Sequence, residues 1–183
     1  MKKNIFLILC SILLISKASA SIKNEIIKNL RNTDNLTFNF EQNINGKTQN
    51  GSCTLSYPKK IFCTYNLTNK KTLVSNGKSI VIKTLSSYYQ YPLKRTPLNL
   101  ILDKDYILKK INKLEERIVE NKFINYKFFE NDYEINIFFD YDTYNLIGWQ
   151  TVDIYQNLSI TFLSSIIRNQ KLKSSLFSLP KQN

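Results

Sequence analysis

The sequence contains few of the side chains that enzymes use for covalent or acid–base chemistry. It has 183 residues and no histidine, which excludes Ser-His-Asp and Cys-His catalysis, histidine metal sites and imidazole pH switching. It has four glycines, and neither G-x-G-x-x-G nor G-x-x-x-x-G-K-[ST] occurs, so no glycine-rich phosphate-binding loop is predicted. We therefore predict no catalytic residues, no cofactor and no enzymatic activity.

The acidic residues do not follow a pattern typical of catalysis or metal binding. Asp140, Asp142 and Asp153 are scattered near predicted turns, without Cys, His or a glycine-shaped loop beside them. Glu115 and Glu116 are adjacent on a predicted helix, so their side chains diverge. We interpret these acids as solvated side chains and expect no metal site.

The formal net charge is +12, and a strongly positive net charge is common among nucleic-acid-binding proteins. Of the 26 basic residues, however, only four are arginines, and the lysines accompany abundant Asn and Ile, as expected from a biased genome composition. Tyrosines in residues 87–91 could stack bases, but they fit a half-buried strand at least as well. We expect no nucleic-acid partner.

Residues 1–20 have the features of a secretory signal peptide. Two lysines precede an apolar stretch at 5–15, and the sequence Ala-Ser-Ala that ends at Ala20 matches the small-x-small cleavage pattern. The apolar stretch is shorter than the ~20 residues that a membrane-spanning helix needs. We predict cleavage after Ala20, export to the periplasm, and a single domain over residues 21–183.

Hydrophobic periodicity predicts one N-terminal helix followed by strands. Apolar residues from Ile22 to Leu30 recur at helical spacing, and from Asn35 they alternate with polar ones as in a strand. Three glycines follow asparagine, a dipeptide that favours hairpin turns, at 45–46, 50–51 and 76–77. Further strands are predicted at 53–57, 61–65, 72–74, 79–82, 126–129, 133–139, 146–155 and 158–163.

The middle of the chain is predicted to be helical. Pro97 suits the first turn of a short helix over 96–102, and helical spacing recurs from Ile107 to Ile118, with Asp103 and Asp105 as candidate caps. No βαβ alternation occurs, so the sheet is predicted to be antiparallel. The fold class is α+β, dominated by a meandering sheet. The helices either fill an ordinary core or form a removable lid over an apolar pocket.

Five segments together resemble the LolA-type periplasmic outer-membrane lipoprotein carriers. They occur in the family's order and cover nearly all of the predicted mature chain. The segments are F-x-F-x-Q within 36–50, a glycine followed by proline and an alternating strand in 51–65, V-S-N-G-K within 73–78, T-P-L at the start of 96–102, and Asp153 with a C-terminal F-x-x-P ending at Pro180.

The resemblance implies a single curved antiparallel sheet, an unclosed β-barrel, with helices covering its concave apolar face. It also implies a monomeric carrier that shields the acyl chains of lipoproteins between the inner and outer membranes of a Gram-negative bacterium. The implied partners are acylated lipoproteins, an inner-membrane lipoprotein-releasing ABC transporter and, where present, an outer-membrane lipoprotein receptor. The side chains predicted to contact acyl chains are Phe38, Phe40, Leu55, Tyr57, Ile61, Tyr65, Leu98, Ile101 and Leu102.

The sequence departs from the family pattern at positions that matter for a lid. The family's arginine, which helps to latch the lid, falls on Tyr57, and Lys59 and Lys60 are the candidate substitutes. A tyrosine can donate one hydrogen bond but offers no charged fork. The family's bulky aromatic residue in the next strand falls on Cys63.

The cysteines form a candidate pair. Cys10 falls within the predicted signal peptide, and a hairpin turn centred on Pro58 places Cys53 opposite Cys63 on the concave face. Two alternatives remain open: a disulfide, which an oxidising compartment allows, or two small apolar thiols that shape the cavity.

Two related functions compete with the carrier. One is a periplasmic lipid- or lipoprotein-sensing protein of an envelope-stress pathway, a class that usually carries a second domain. The other is the outer-membrane receptor itself, which would need a lipidated cysteine at the position of Ser21.

Overall fold

The computed structural model describes residues 21–152 and 155–182. The predicted signal peptide and Cys10 lie outside the described residues. Helices are α1 (Ile22–Arg31), α2 (Leu98–Ile101) and α3 (Lys104–Lys113), and 3₁₀ turns lie at Leu93–Arg95 and Ser174–Phe177. The strands are β1 (Asn35–Ile44), β2 (Lys47–Ser56), β3 (Lys60–Tyr65), β4 (Thr72–Asn76), β5 (Ser79–Lys83), β6 (Tyr88–Pro92), β7 (Arg117–Val119), β8 (Phe123–Glu130), β9 (Tyr133–Asp140), β10 (Leu146–Val152) and β11 (Leu158–Arg168).

The described strands form one unclosed antiparallel sheet of 11 strands. Their order is β6-β5-β4-β3-β2-β1-β11-β10-β9-β8-β7, so β6 and β7 are its two edges. Sequential strands are neighbours within β1–β6 and within β7–β11. The two runs meet where β1 pairs with β11, which joins the first and last thirds of the chain. The predicted fold class, a single curved antiparallel sheet with helices, is confirmed.

The helices α1 and α3 lie antiparallel to each other over the concave face. At one end of the pair, Lys23 Nζ donates to the Leu114 carbonyl at 2.7 Å, and at the other Lys104 Nζ donates to the Thr33 carbonyl at 2.9 Å. Lys104 also places its positive charge beside the carboxyl end of α1, where the helix dipole favours a cation. The apolar faces of both helices pack into one cluster with the concave side chains of the sheet.

The turn predicted at Asn50-Gly51 is wrong, because both residues lie inside β2. Gly51 is the cross-strand partner of Phe40 on one side and of Tyr65 on the other. The rings of Phe40 and Tyr65 meet edge to face over it, with centroids 5.0 Å apart. The glycine therefore makes room for two aromatic rings rather than for a turn.

The helix predicted to run as far as Ile118 is also wrong at its end. The helix α3 stops at Lys113, and Leu114 has extended backbone angles. Ile118 instead pairs with Ile124 in the edge hairpin of β7 and β8, where its side chain is exposed. The β-branched Ile118 and Val119 suit a strand, and their pairing with Ile124 and Phe123 prevails over the helical spacing.

Candidate functional site

A cavity of about 390 Å³ lies between the helix α2 and the concave face of the sheet. Its lining is mainly apolar and comes from elements that are far apart in the chain. The main apolar contributors are Leu73 from β4, Ile80 and Ile82 from β5, Leu98 and Ile101 from α2, and Trp149 from β10.

Local sequence features bring these side chains to the cavity. The Asn76-Gly77 turn closes the β4–β5 hairpin with Leu73 opposite Ile82, so that both face the concave side. Pro97 precedes α2, in which Leu98 and Ile101 are three residues apart and share one face. The cavity thus lies between a hairpin and a helix whose positions each depend on local sequence.

One part of the cavity wall is polar. Gln42, Thr151 and Ser159 line it together with Thr96. Gln42 Nε2 donates to Thr161 Oγ1 at 3.1 Å, and its Oε1 accepts from the Tyr65 hydroxyl at 3.4 Å. An apolar wall with a few placed polar groups is typical of sites that bind small amphiphilic molecules.

The structure separates the nine predicted acyl-chain contacts into three groups. Leu98 and Ile101 line the cavity. The side chain of Tyr57 packs against the core at the β2–β3 turn. The remaining six belong to the closed core beneath the helices, namely Phe38, Phe40, Leu55, Ile61, Tyr65 and Leu102.

Sequence reasoning missed most of the cavity lining. Leu73, Ile80 and Ile82 lay in predicted strands, but apolar residues follow one another there, as in Ile80-Val81-Ile82, so no alternation identified their face. Trp149 also lay in a predicted strand, and it is the single tryptophan of the protein. No sequence signal distinguished these residues from those that pack against a helix, because both kinds are apolar and face the same side.

We call the segment from α2 to α3, residues 98–113, the lid. Lys59, in the β2–β3 turn, holds the lid where α2 meets α3. Its backbone N–H donates to the Leu102 carbonyl at 2.7 Å, and its Nζ lies 3.1 Å from Asp103 Oδ2. Lys59, one of the two candidate substitutes for the family's arginine, therefore contacts the lid, whereas Lys60 is exposed in β3.

Tyr57 does not form the lid contact that its position suggested. Its hydroxyl is buried and has no hydrogen-bond partner among the described residues. Burial raises the pKa of this hydroxyl, so it stays protonated. Lys104 Nζ lies 5.7 Å from the centre of the Tyr57 ring, so the ring contacts the lid through a cation rather than through its hydroxyl.

Replacing Asp103 with asparagine tests the contribution of the ion pair to lid closure. Asn caps a helix as well as Asp does, so Asp103→Asn keeps the side-chain cap on the Tyr106 amide while removing the charge. The pair is partly exposed and contributes at most ~1 kcal/mol. Hydrogen exchange of the Leu100–Leu102 amides is therefore expected to accelerate up to ~5-fold. The matched control is Asp105→Asn in the same helical turn, and equal acceleration in both variants would exclude a specific role for the ion pair.

Cys53 and Cys63 are cross-strand partners in β2 and β3 and form a disulfide. Their Cα atoms are 4.1 Å apart, and both residues are buried in the core cluster beneath the helices. The bond thus links the two strands whose turn carries Lys59.

Two titratable side chains near the cavity have pKa values that burial shifts. Burial raises the pKa of Tyr65 to about 12 and lowers the pKa of the half-buried Lys71. Among residues 21–152 and 155–182, no cluster of three or more Cys, Asp or Glu side chains is arranged to hold a metal ion. The cavity is suited to binding an apolar molecule.

The sequence matches a family model described as "Outer membrane lipoprotein carrier protein LolA" over residues 31–180. No curated protein matches the chain. In the described part of the chain, no helix has the length and apolar character required to cross a membrane.

Several solved structures are similar in fold. A LolA superfamily protein from Nitrosomonas europaea aligns with 87% of this chain and 96% of its own, at 7% identity and a TM-score of 0.50. A putative outer membrane lipoprotein-sorting protein domain from Vibrio parahaemolyticus aligns with 84% of this chain and 95% of its own, at 8% identity and a TM-score of 0.45. The lipoprotein LppX from Mycobacterium tuberculosis aligns with 86% of this chain and 100% of its own, at 9% identity and a TM-score of 0.43.

Proposed function

Since the chain belongs to the LolA family of outer membrane lipoprotein carrier proteins, we propose that it is a periplasmic carrier that shields the acyl chains of lipoproteins and shuttles them from the inner to the outer membrane. Residues 1–20 would direct its export, and residues 21–183 would be the carrier domain. Its partners would be acylated lipoproteins, an inner-membrane lipoprotein-releasing ABC transporter and an outer-membrane receptor. No catalytic step is needed for this role.

The observation that carries the proposal is the apolar cavity beneath the lid. An acyl chain gains ~0.8 kcal/mol for each CH₂ group that leaves water. A chain in contact with Leu73, Ile80 and Trp149 would therefore be held without a covalent bond or ATP. Release would need only a competing apolar surface, such as a membrane.

The cavity volume supports a lid that moves. At about 390 Å³, the cavity lies near the lower end of the range that holds one drug-sized molecule, whereas a lipoprotein anchor carries two or three acyl chains. We expect α2 and α3 to swing away from the sheet when a lipoprotein binds. Phe38, Phe40, Leu55 and Ile61, which belong to the core cluster beneath the helices, would then contact the acyl chains.

Purification of the protein from the periplasm of a Gram-negative host, followed by mass spectrometry under native and denaturing conditions, tests the proposal. We expect co-purified acylated polypeptide that dissociates on denaturation. We also expect the protein to release lipoproteins from inner-membrane vesicles that contain the transporter. The proposal is contradicted if the purified protein carries no acylated polypeptide and releases no lipoprotein from the vesicles. Co-purification of a non-acylated protein partner would favour the sensor function instead.

A further inference from the structure

A cluster of polar side chains lies beside the polar wall of the cavity. Tyr65 O–H donates to Gln42 Oε1 at 3.4 Å, and Lys71 Nζ donates to Gln49 Oε1 at 2.8 Å. Gln42 and Gln49 are cross-strand partners in β1 and β2. Lys71 Nζ also lies 4.0 Å from the centre of the Tyr65 ring. We call these four residues the rim cluster.

The rim cluster is continuous with the cavity. Gln42 itself lines the cavity, and so does Leu73, which lies two residues after Lys71 in the chain. Tyr65 belongs to the core cluster on the concave face. A molecule whose chain occupies the apolar part of the cavity would therefore place its polar end near Tyr65 and Lys71.

Lys71 is a half-buried cation with neutral neighbours. Among the described residues, no carboxylate forms an ion pair with it within 4.0 Å. Its two contacts, an amide oxygen and an aromatic face, satisfy some of its three donors. A ligand that covers the rim would remove water from the ammonium group, and an anion on that ligand would compensate for the lost hydration.

The Tyr65 hydroxyl is a second donor that is weakly engaged. Its hydrogen bond to Gln42 is long at 3.4 Å, compared with the 2.7–2.8 Å that is usual for hydroxyl donors. Because burial raises the pKa of Tyr65 to about 12, the group donates at every pH near neutrality. Two donors, one of them charged, thus lie at the same end of the cavity.

We propose that the rim cluster binds the oxyanion of an amphiphile whose acyl chain lies in the cavity, with Lys71 and Tyr65 as the donors. This inference rests on the proposed function, since it requires an acyl chain beneath the lid. It goes beyond the proposed cargo by adding a second ligand class for the same cavity: acylated molecules with a negative group next to the chain. Such an oxyanion belongs either to a carboxylate or to a phosphate.

Titrations followed by the fluorescence of Trp149, which lines the cavity, test this inference. The probes are hexadecanoate, hexadecyl phosphate and hexadecanol, which share one chain length and differ in the head group. We expect the wild type to bind the preferred anion at least ~10-fold more tightly than hexadecanol, equivalent to ~1.4 kcal/mol. The anion that binds more tightly identifies the head group.

Lys71→Gln is expected to reduce this preference to within ~2-fold while leaving hexadecanol affinity unchanged. Lys60→Gln, an exposed position in β3, makes the same change in net charge and controls for general attraction of anions. Tyr65→Phe retains the ring and removes one donor, so it is expected to reduce the preference ~3-fold.

The outcomes separate the two proposals. If hexadecanol binds as tightly as both anions, or if Lys71→Gln retains the preference, the rim inference is wrong and the apolar carrier site stands. If none of the three probes binds the wild type, the rim inference fails, and the carrier proposal is contradicted only if the protein also releases no lipoprotein from inner-membrane vesicles. Equal loss of preference in Lys71→Gln and Lys60→Gln would also overturn the inference, because the effect would then be general charge attraction.

Discussion

Leu98→Asp is expected to weaken binding of hexadecanol by ~100-fold or more. Leu98 lines the cavity from the first turn of α2, so the new carboxylate would point at an apolar ligand. Covering a charge with a chain that offers no hydrogen bond costs several kcal/mol, and ~2.7 kcal/mol corresponds to 100-fold in affinity. The measurement is a fluorescence titration that follows Trp149.

The substitution is chosen to remove binding without unfolding the protein. Leu98 is only half-buried, and an acidic residue in a first helical turn is compatible with the helix dipole. The matched control is Leu85→Asp, because Leu85 is 63% exposed in the loop between β5 and β6. Hexadecanol affinity within ~3-fold of wild type in Leu98→Asp would show that the ligand lies elsewhere.

Gly51→Ala is expected to lower the free energy of unfolding by ~3 kcal/mol or more, at the upper end of what overpacking costs. A Cβ atom at this position would overlap the Thr64 carbonyl oxygen and lie 2.9 Å from Phe40 Cε1. The backbone oxygen of a neighbouring strand cannot move without disturbing the sheet. Denaturant unfolding of the oxidised protein measures the effect.

Gly46→Ala is the control for this prediction. Gly46 has φ +84° in the β1–β2 turn, and an added Cβ would have no atom within 4 Å. Its replacement is therefore expected to cost ~1 kcal/mol, through backbone strain alone. Equal losses in the two variants would mean that the close approach at Gly51 does not restrict the sheet.

The contacts of the lid are consistent with reversible opening. One backbone hydrogen bond and one partly exposed ion pair join Lys59 to the junction of α2 and α3. Neither contact is strong in water. The proposed opening would also have to break the contacts of Tyr106 and Lys110 with Glu130. In the proposed carrier, acyl chains would replace the core contacts of the buried lid side chains Ile101, Leu102, Ile107 and Ile111.

Much of the architecture was predictable from local pattern. The alternation that begins at Asn35, the turns at Asn45-Gly46 and Asn76-Gly77 and the cap at Asp103 depend on neighbouring residues alone. The opposition of Cys53 and Cys63 followed from one turn at Pro58, since the register of a hairpin is determined by its turn. The structure has each of these features.

The errors occurred where distant residues prevail over a local signal. Asn50-Gly51 has the composition of a turn, but the rings of Phe40 and Tyr65 occupy the space above Gly51 and keep it in a strand. Ile118 has the spacing of a helix face, but it pairs with Ile124 across a hairpin. In both cases the deciding contact is with another strand.

By itself, the sequence determined the family and most of the strands. Where apolar and polar residues alternate, as around Leu55, it also determined which side chains share a face of the sheet. Only the tertiary structure decided which of the apolar side chains surround empty space. Leu55 and Ile80 both lie in predicted strands and belong to the same buried cluster, yet of these two only Ile80 lines the cavity. A cavity is the volume left between distant elements after they pack, and the side chains of one strand do not define that volume.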